Sequence, residues 1–523
     1  MTRSSPLSRR RFLVGSGLTA AAALLAACGP QQVAVPTPAA KTDAKPADAA
    51  PTATPAPAAA APTKPAEAKP ADAAKPTEAP KPTAAPEPRP EGTRPAAAAA
   101  GAATPTPAPK VAMPAAKPGA KPLVVWGPVV REDWGGILKT FAEQNPDLEV
   151  KPENAPGEDP AKIVAAVSAG ASPDIYYAGR HLVPEFSSRG ALKPLNDLIN
   201  TSKNFKMTDL WPKLRQDVTY KGKVWAVPLH TDVRAYYWNK SAFKEAGLDP
   251  EKAPKTWEEA TEFGLKLYKA SPNGQIDRLG FTPVAGNPPG FLAWYIFLWQ
   301  RGGEFVSDDF NKVAFNGEAG VDALQWMVDV VDKQGGMEKN DAFTKALTPG
   351  QGQDGFMIGK IASYIHGNWQ LTPFKKFAPD LSYGLARLPT FEKFGKEANY
   401  AGGFTYAMPN GGKNPEGGWK LIEFWMSPEI QVRWANELDA VPSVERAARE
   451  EWPKQDARRK VFVEETAVAK WVPVIPAISE IFTENARMVD QALRKQKSAK
   501  EAVQESSGRV QQILDRTKNL RDA

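Results

Sequence analysis

The 523-residue chain holds one cysteine, Cys28, and three histidines, His181, His230 and His366. A lone cysteine excludes an internal disulfide framework and any zinc or iron–sulfur site built from cysteines. Three scattered histidines make no histidine-rich metal centre, so neither a metal nor a cofactor is expected. From Gly29 to Lys121 there is no Leu, Ile, Phe, Tyr or Trp, while 22 of the 51 prolines fall there. That stretch cannot bury enough apolar surface to offset the entropy of ordering it. It reads as an extended tether (29–121) with a reach of roughly 3.1 Å per residue. A glycosylated stalk has the same composition.

The formal charge of +7 points toward nucleic acid until it is located. Residues 1–28 carry four arginines and no acid, and residues 29–121 carry eleven basic and seven acidic groups. The rest carries fifty-one basic against fifty-two acidic groups. The basic excess therefore belongs to the leader and tether. The remainder offers no charge argument for a phosphate backbone, and no nucleic-acid partner is expected.

Residues 1–28 read as an export signal. Ser8-Arg9-Arg10-Arg11-Phe12-Leu13 leads into an apolar run ending at Ala27, and the paired arginines fit the twin-arginine route. Val14 stands where that pattern often has lysine, which leaves Sec export open. The run from Phe12 to Ala27 has 16 residues, short for a bilayer span. Leu25-Ala26-Ala27-Cys28 resembles a lipobox, which makes Cys28 the expected lipidation site and membrane anchor.

All fifteen tryptophans fall at or after Trp126, so the folded part is 122–523. Leu123-Val124-Val125-Trp126, Leu148-Glu149-Val150 and Asp174-Ile175-Tyr176-Tyr177 read as strands. Between the first two, Ile137, Leu138, Phe141 and Ala142 share a helical face. Between the second and third, Asp159-Pro160 opens a helix carrying Ile163, Val164 and Val167. The alternation argues for an α/β fold with a parallel sheet. Ligands then bind at the carboxyl ends of strands, where Trp126 and Tyr177 would sit. Tyr220-Lys221-Gly222-Lys223 is a turn, Ala235-Tyr236-Tyr237-Trp238 and Ile361–Ile365 are further strands, and Thr256-Trp257-Glu258-Glu259 is a capping box. Amphipathic helices follow around Ile478–Ala492 and Val503–Leu514.

An ordered set of short motifs resembles the extracellular solute-binding proteins of ABC importers, family 1, the group of maltose- and glycerol-phosphate-type binders. The matching residues are Ala169-Gly170-Ala171-Ser172-Pro173-Asp174-Ile175, Tyr220-Lys221-Gly222-Lys223 with Val227-Pro228, and Trp238-Asn239-Lys240 with Ala246-Gly247-Leu248. Pro254-Lys255-Thr256-Trp257-Glu258-Glu259 follows. Gly359-Lys360-Ile361-Ala362, Gly367-Asn368-Trp369, Gly402-Gly403, Ser427-Pro428-Glu429-Ile430-Gln431 and Pro442 complete the series. The resemblance implies a two-lobed periplasmic-binding-protein-like fold of type II, with a ligand cleft between lobes joined by hinge crossings. It places crossings near Asp232–Arg234, Gly402–Phe404 and Glu450. Lobe 1 is then about 122–232 and 403–450, and lobe 2 about 233–402 and 451–523.

Sugars present C–H faces to aromatic rings and hydroxyls to carboxylates, amides and guanidinium groups. Trp126 and Trp369 are the leading stacking candidates. Trp294 is one too, although Phe291, Trp294, Tyr295 and Leu298 equally describe a buried helix face. Asp232 and Arg234 lie between two apolar strand runs and suit ligand hydroxyls. Glu132 does the same or simply starts a helix. Gly403, Phe404 and Tyr177 complete the candidate ligand-binding set. No catalytic residue is singled out: Gly355–Ile361 misses the phosphate-loop spacing and residues 122–523 lack a G-x-S-x-G elbow. The expected protein is a monomeric, lipid-anchored substrate-binding subunit, not an enzyme, exported to the outer face of the membrane. It would deliver a carbohydrate or related polar solute to an ABC permease. The alternatives are a carbohydrate module or chemoreceptor partner uncoupled from transport, and a glycan hydrolase.

Overall fold

The computed structural model describes residues 111–129, 131–155, 160–284, 290–347 and 354–522. The export signal with Cys28, most of the tether, and Asp159 lie outside the described residues.

The chain opens with β1 (Lys121–Gly127), α1 (Glu132–Gln144), β2 (Leu148–Asn154), α2 (Pro160–Ser168) and β3 (Ile175–Gly179). Helix α1 forms because Trp134, Ile137, Leu138 and Phe141 fall on one face and Glu132 and Asp133 suit its first turn. Strand β1 alternates: Leu123, Val125 and Gly127 are buried, and Pro122, Val124 and Trp126 face the other way. A hairpin follows, its turn made by Lys221 and Gly222, both at positive φ. Then comes β4 (Ala226–Pro228).

After Pro228 the chain leaves for a second sheet. It forms β5 (Arg234–Asn239), α3 (Trp257–Leu267), β6 (Ile276–Thr282), α4 (Phe291–Gln300), α5 (Glu318–Asp332), β7 (Ile361–Gly367) and β8 (Tyr383–Ala386). Thr256 caps α3 by accepting from the Glu259 amide at 3.1 Å. The chain then returns as β9 (Phe404–Ala407), and α6 (Pro415–Met426) and α7 (Pro428–Leu438) cover the first sheet. Finally α8 (Ile478–Leu493) and α9 (Ala499–Arg516) pack with α4 and α5.

The first sheet has the order β2-β1-β3-β9-β4. The second has β8-β5-β7-β6, with a short edge strand at Lys269–Ala270. Neither is the all-parallel sheet expected from the opening β–α–β pattern. Strands β1, β2 and β3 are parallel, but β9 runs antiparallel to both β3 and β4. The reason is topological: β9 enters from the other sheet, so it arrives at the opposite end from a strand fed by a local crossover helix.

Apolar cores form on both sheets, and a third gathers Tyr237, Phe356, Phe374, Trp452 and Phe462. Leu123, Val125, Phe141, Ile422, Trp425 and Trp434 fill the space between the first sheet and α1, α6 and α7. Tyr236, Trp257, Phe281, Trp294, Phe297 and Met327 fill that of the second. Each such side chain, fully buried, contributes about 1.5–3 kcal/mol.

Between the sheets the crossing segments are hydrogen-bonded to one another. His230–Thr231 pairs with Val441–Pro442, and Asp232 bridges Gly402. The third crossing thus includes Val441–Pro442, on the N-terminal side of Glu450. Arg180, 2% exposed, ties these strands together. Its guanidinium donates to the carbonyls of His230 and Gly402, and its Nε meets the Asp217 carboxylate at 2.8 Å.

Candidate functional site

Where the crossing strands meet, a cavity of about 410 Å³ opens between the two sheets, within the usual range for small-molecule sites. From the first-sheet side it is lined by Arg131, His181, Gly403 and Phe404. From the second it is lined by Arg234, Asn368, Trp369 and Phe291, together with Tyr400 and Phe482 of α8. Asp232 and His230 belong to the crossing itself.

Local sequence explains each placement. Arg234 opens β5 with the same parity as Tyr236 and Trp238, one strand repeat short of the buried core. Its Nη1 donates to Asp232 at 2.5 Å and to the Tyr400 carbonyl at 3.4 Å. Its guanidinium carbon lies 5.1 Å from the Trp369 ring and 4.7 Å from the Tyr400 ring. Trp369 follows the end of β7 in a one-turn 3-10 helix, and its ring folds back over Gly367. A Cβ on Gly367 would fall well inside 3.0 Å of three atoms of that ring, so only glycine leaves room for it.

Asn368 fixes that turn to two crossings at once. Its side-chain oxygen accepts from the Val233 amide at 3.0 Å, and its Nδ2 donates to the Asp439 carbonyl at 2.6 Å. Asp439 is in turn held by Arg459 at 2.6 Å and Lys375 at 3.1 Å. On the opposite wall, Gly403 has φ +129, and an added Cβ would meet the His230 carbonyl at 2.5 Å. Phe404 follows, its ring stacked on Tyr177 at 4.7 Å.

The histidines here are neutral. Burial, with Arg131 and Arg180 nearby, holds His230 down to about 3, and its Nδ1 accepts from the Trp434 indole at 3.2 Å. Burial and Arg180 hold His181 down to about 4. Burial and Arg234 do the same to His366, which packs against Trp369 at 5.4 Å. Neutral imidazoles both donate and accept, which suits hydroxyl groups.

The cavity brings together Asp232, Arg234, Trp369, Gly403 and Phe404 from the expected set. Four others are elsewhere. Trp126 lies on the opposite face of β1 from the buried Leu123 and Val125. It lines a separate hollow of about 820 Å³, donates to Glu153 at 2.8 Å and carries Lys162 over its ring at 5.1 Å. Strand alternation sends it there, because the strand end alone does not decide which face a residue takes. Trp294 is fully buried and donates to the Gly320 carbonyl at 3.1 Å. Phe291, one turn earlier at the start of α4, is the residue that reaches the cavity. Tyr177 is buried behind Phe404. Glu132 is exposed in the first turn of α1, and its neighbour Arg131 lines the cavity instead.

Arg131, His230, Asn368, Tyr400 and Phe482 were not singled out from sequence. Asn368 had a signal, since it sits inside Gly367-Asn368-Trp369. His230 lies two residues before Asp232 and had a positional one. Phe482 was indistinguishable from the core face of its amphipathic helix.

Comparison with known proteins agrees with this architecture. The family described as bacterial extracellular solute-binding protein matches residues 136–461. The maltodextrin-binding protein MdxE of Bacillus subtilis is 25% identical over 74% of this chain and 88% of its own. An ABC transporter solute-binding protein of Thermotoga lettingae, solved with α-D-tagatose, is 26% identical with a TM-score of 0.66, covering 76% of this chain and 100% of its own. The mannotriose-bound protein CpMnBP1 is 25% identical with a TM-score of 0.67, covering 75% of this chain and 100% of its own. With the match spanning well over half of its length, and with two sheets joined by paired crossing strands around a cavity, the chain belongs to the bacterial extracellular solute-binding protein family.

Proposed function

We propose that this chain is the substrate-binding subunit of an ABC importer for a saccharide. The observation that carries the reading is the cavity at the crossing strands. There, Trp369 and Phe404 offer ring faces, and Arg234, Asp232 and Asn368 offer directional donors and acceptors to hydroxyls. The sugar ligands named for MdxE, the Thermotoga lettingae protein and CpMnBP1 support the same class. Binding by groups from both sheets favours the closed arrangement, because only that arrangement makes both sets of contacts. A permease would then take the solute from the closed form.

The binding unit comprises lobe 1, about 122–232 and 403–450, and lobe 2, about 233–402 and 451–523. Export of residues 1–28 by the twin-arginine route, lipidation at Cys28 and a 29–121 tether would hold a monomeric binding unit at the outer face of the membrane. Chemistry on the ligand is not part of this reading. Among the described lining residues Asp232 is the one carboxylate, and it is held by Arg234, whereas glycoside hydrolysis uses a carboxylate pair.

Isothermal titration against mono-, di- and oligosaccharides and polyols should find one tight ligand, recovered intact. Trp369→Ala should weaken it without unfolding the protein, and unchanged affinity would remove Trp369 from the site. Intact-mass analysis should find a lipid-modified N-terminal Cys28, and a free thiol there would defeat the anchor.

A further inference from the structure

Two guanidinium groups enter the cavity from opposite sides, Arg131 just before α1 and Arg234 at the start of β5. Each is held by one carboxylate and keeps N–H groups to spare. Arg131 meets Asp133 through Nε at 3.2 Å and Nη2 at 2.6 Å, which leaves Nη1. Arg234 commits Nη1 to Asp232 and the Tyr400 carbonyl, which leaves Nε and Nη2. Asp133 and Asp232 each pair with one of these guanidiniums, so what the two walls offer is not net charge but uncommitted guanidinium N–H donors from both sides.

His181 and His230 are neutral and add no charge. An arginine adds to burial in holding down each histidine at the site: Arg180 at His181, Arg131 and Arg180 at His230, Arg234 at His366. The two lining arginines belong to different elements, so their free N–H groups reach the cavity from more than one edge.

We infer that the preferred solute is an acidic saccharide of the uronic-acid class, its carboxylate placed between Arg131 and Arg234 while a ring face stacks on Trp369. This rests on the reading of the cavity as a saccharide site and narrows it. A planar carboxylate matches the fork geometry of guanidinium and accepts charge-assisted hydrogen bonds. A neutral sugar offers only hydroxyls to the same donors, and each such hydrogen bond is weaker than one to a carboxylate. Because the two arginines approach from opposite walls, a carboxylate between them also draws the walls together, which couples recognition of charge to closure.

The test is titration of the full chain with uronic-acid di- and trisaccharides of the gluco, galacto and manno series, their methyl esters, and the matching neutral sugars. The expected result is that one uronide binds at least about tenfold more tightly than its own ester, with the gap shrinking as sodium chloride is raised. Arg131→Gln and Arg234→Gln should weaken the acid far more than the ester. Arg234 also braces a crossing strand, so the ester comparison on the unaltered protein decides the matter without relying on a variant's fold. An ester or neutral sugar bound as tightly as the best uronide overturns the acidic assignment and leaves the saccharide reading standing. No binding of any saccharide, charged or neutral, overturns both.

Discussion

Gly367→Ala isolates the position of Trp369 from its presence. Gly367 has φ −82 and ψ 166, ordinary extended backbone that alanine adopts freely. The substitution therefore adds no dihedral strain. Its whole effect is steric: the new Cβ would lie well inside 3.0 Å of Cζ3, Cη2 and Cε3 of Trp369. Carbon atoms settle near 3.5–4.0 Å, so the indole must move by about 1 Å or more. The neighbours limit where it can go, with His366 at 5.4 Å and the Arg234 guanidinium at 5.1 Å. Overpacking of this kind costs about 1–3 kcal/mol of stability. Losing the stacking face and the cation–π contact costs a further ~1–2 kcal/mol of binding, roughly five- to thirty-fold in Kd. Calorimetric titration beside a thermal melt separates the two. Gly367→Ala should lose nearly as much affinity as Trp369→Ala while keeping every aromatic residue. If it binds as tightly as the unaltered protein, the Trp369 ring is not the platform and the reasoning fails.

Three further outcomes follow from the same geometry. Trp126→Ala should leave saccharide affinity unchanged by titration, because its ring lines a different hollow with Glu153 and Lys162; a large loss would put it back in the site. Asn368→Ala leaves the Val233 amide and the Asp439 carbonyl without their partner. It should cost about 1–3 kcal/mol in urea denaturation, and a stability equal to the parent's would contradict the bridging role. His230, held near 3 by burial and by Arg131 and Arg180, is protonated first in the unfolded chain. Its contribution to stability is full above pH 6.5 and lost as the pH falls toward 3, by at most about 1.4 kcal/mol per pH unit. His230→Gln should therefore flatten the acid side of the stability profile, and parallel profiles for the two proteins would contradict it.

Elements with strong local signals were legible in the sequence. The face of α1, the Thr256 cap, the Lys221-Gly222 turn and the strand Ala235–Trp238 each depend on nearest neighbours, and the structure has them. The antiparallel β9 was not legible, because its direction is set by a return from the other sheet. Site residues divided along the same line. Asp232, Arg234, Gly403 and Phe404 sit on crossing segments, where composition changes abruptly between apolar runs. Trp126 and Trp294 were misplaced because a strand end or a helix turn says that a side chain is near a boundary but not which face it takes. Arg131 and Phe482 reach the cavity from separate elements, and only tertiary packing shows that they converge there.

A crystal structure of the full chain with its tightest-binding saccharide tests the central claim most directly. The account predicts one intact sugar between the two sheets, its ring face on Trp369 and its polar groups on Arg234 and Asp232. A sugar seated in the Trp126 hollow instead, or found with its glycosidic bond cut, would contradict it.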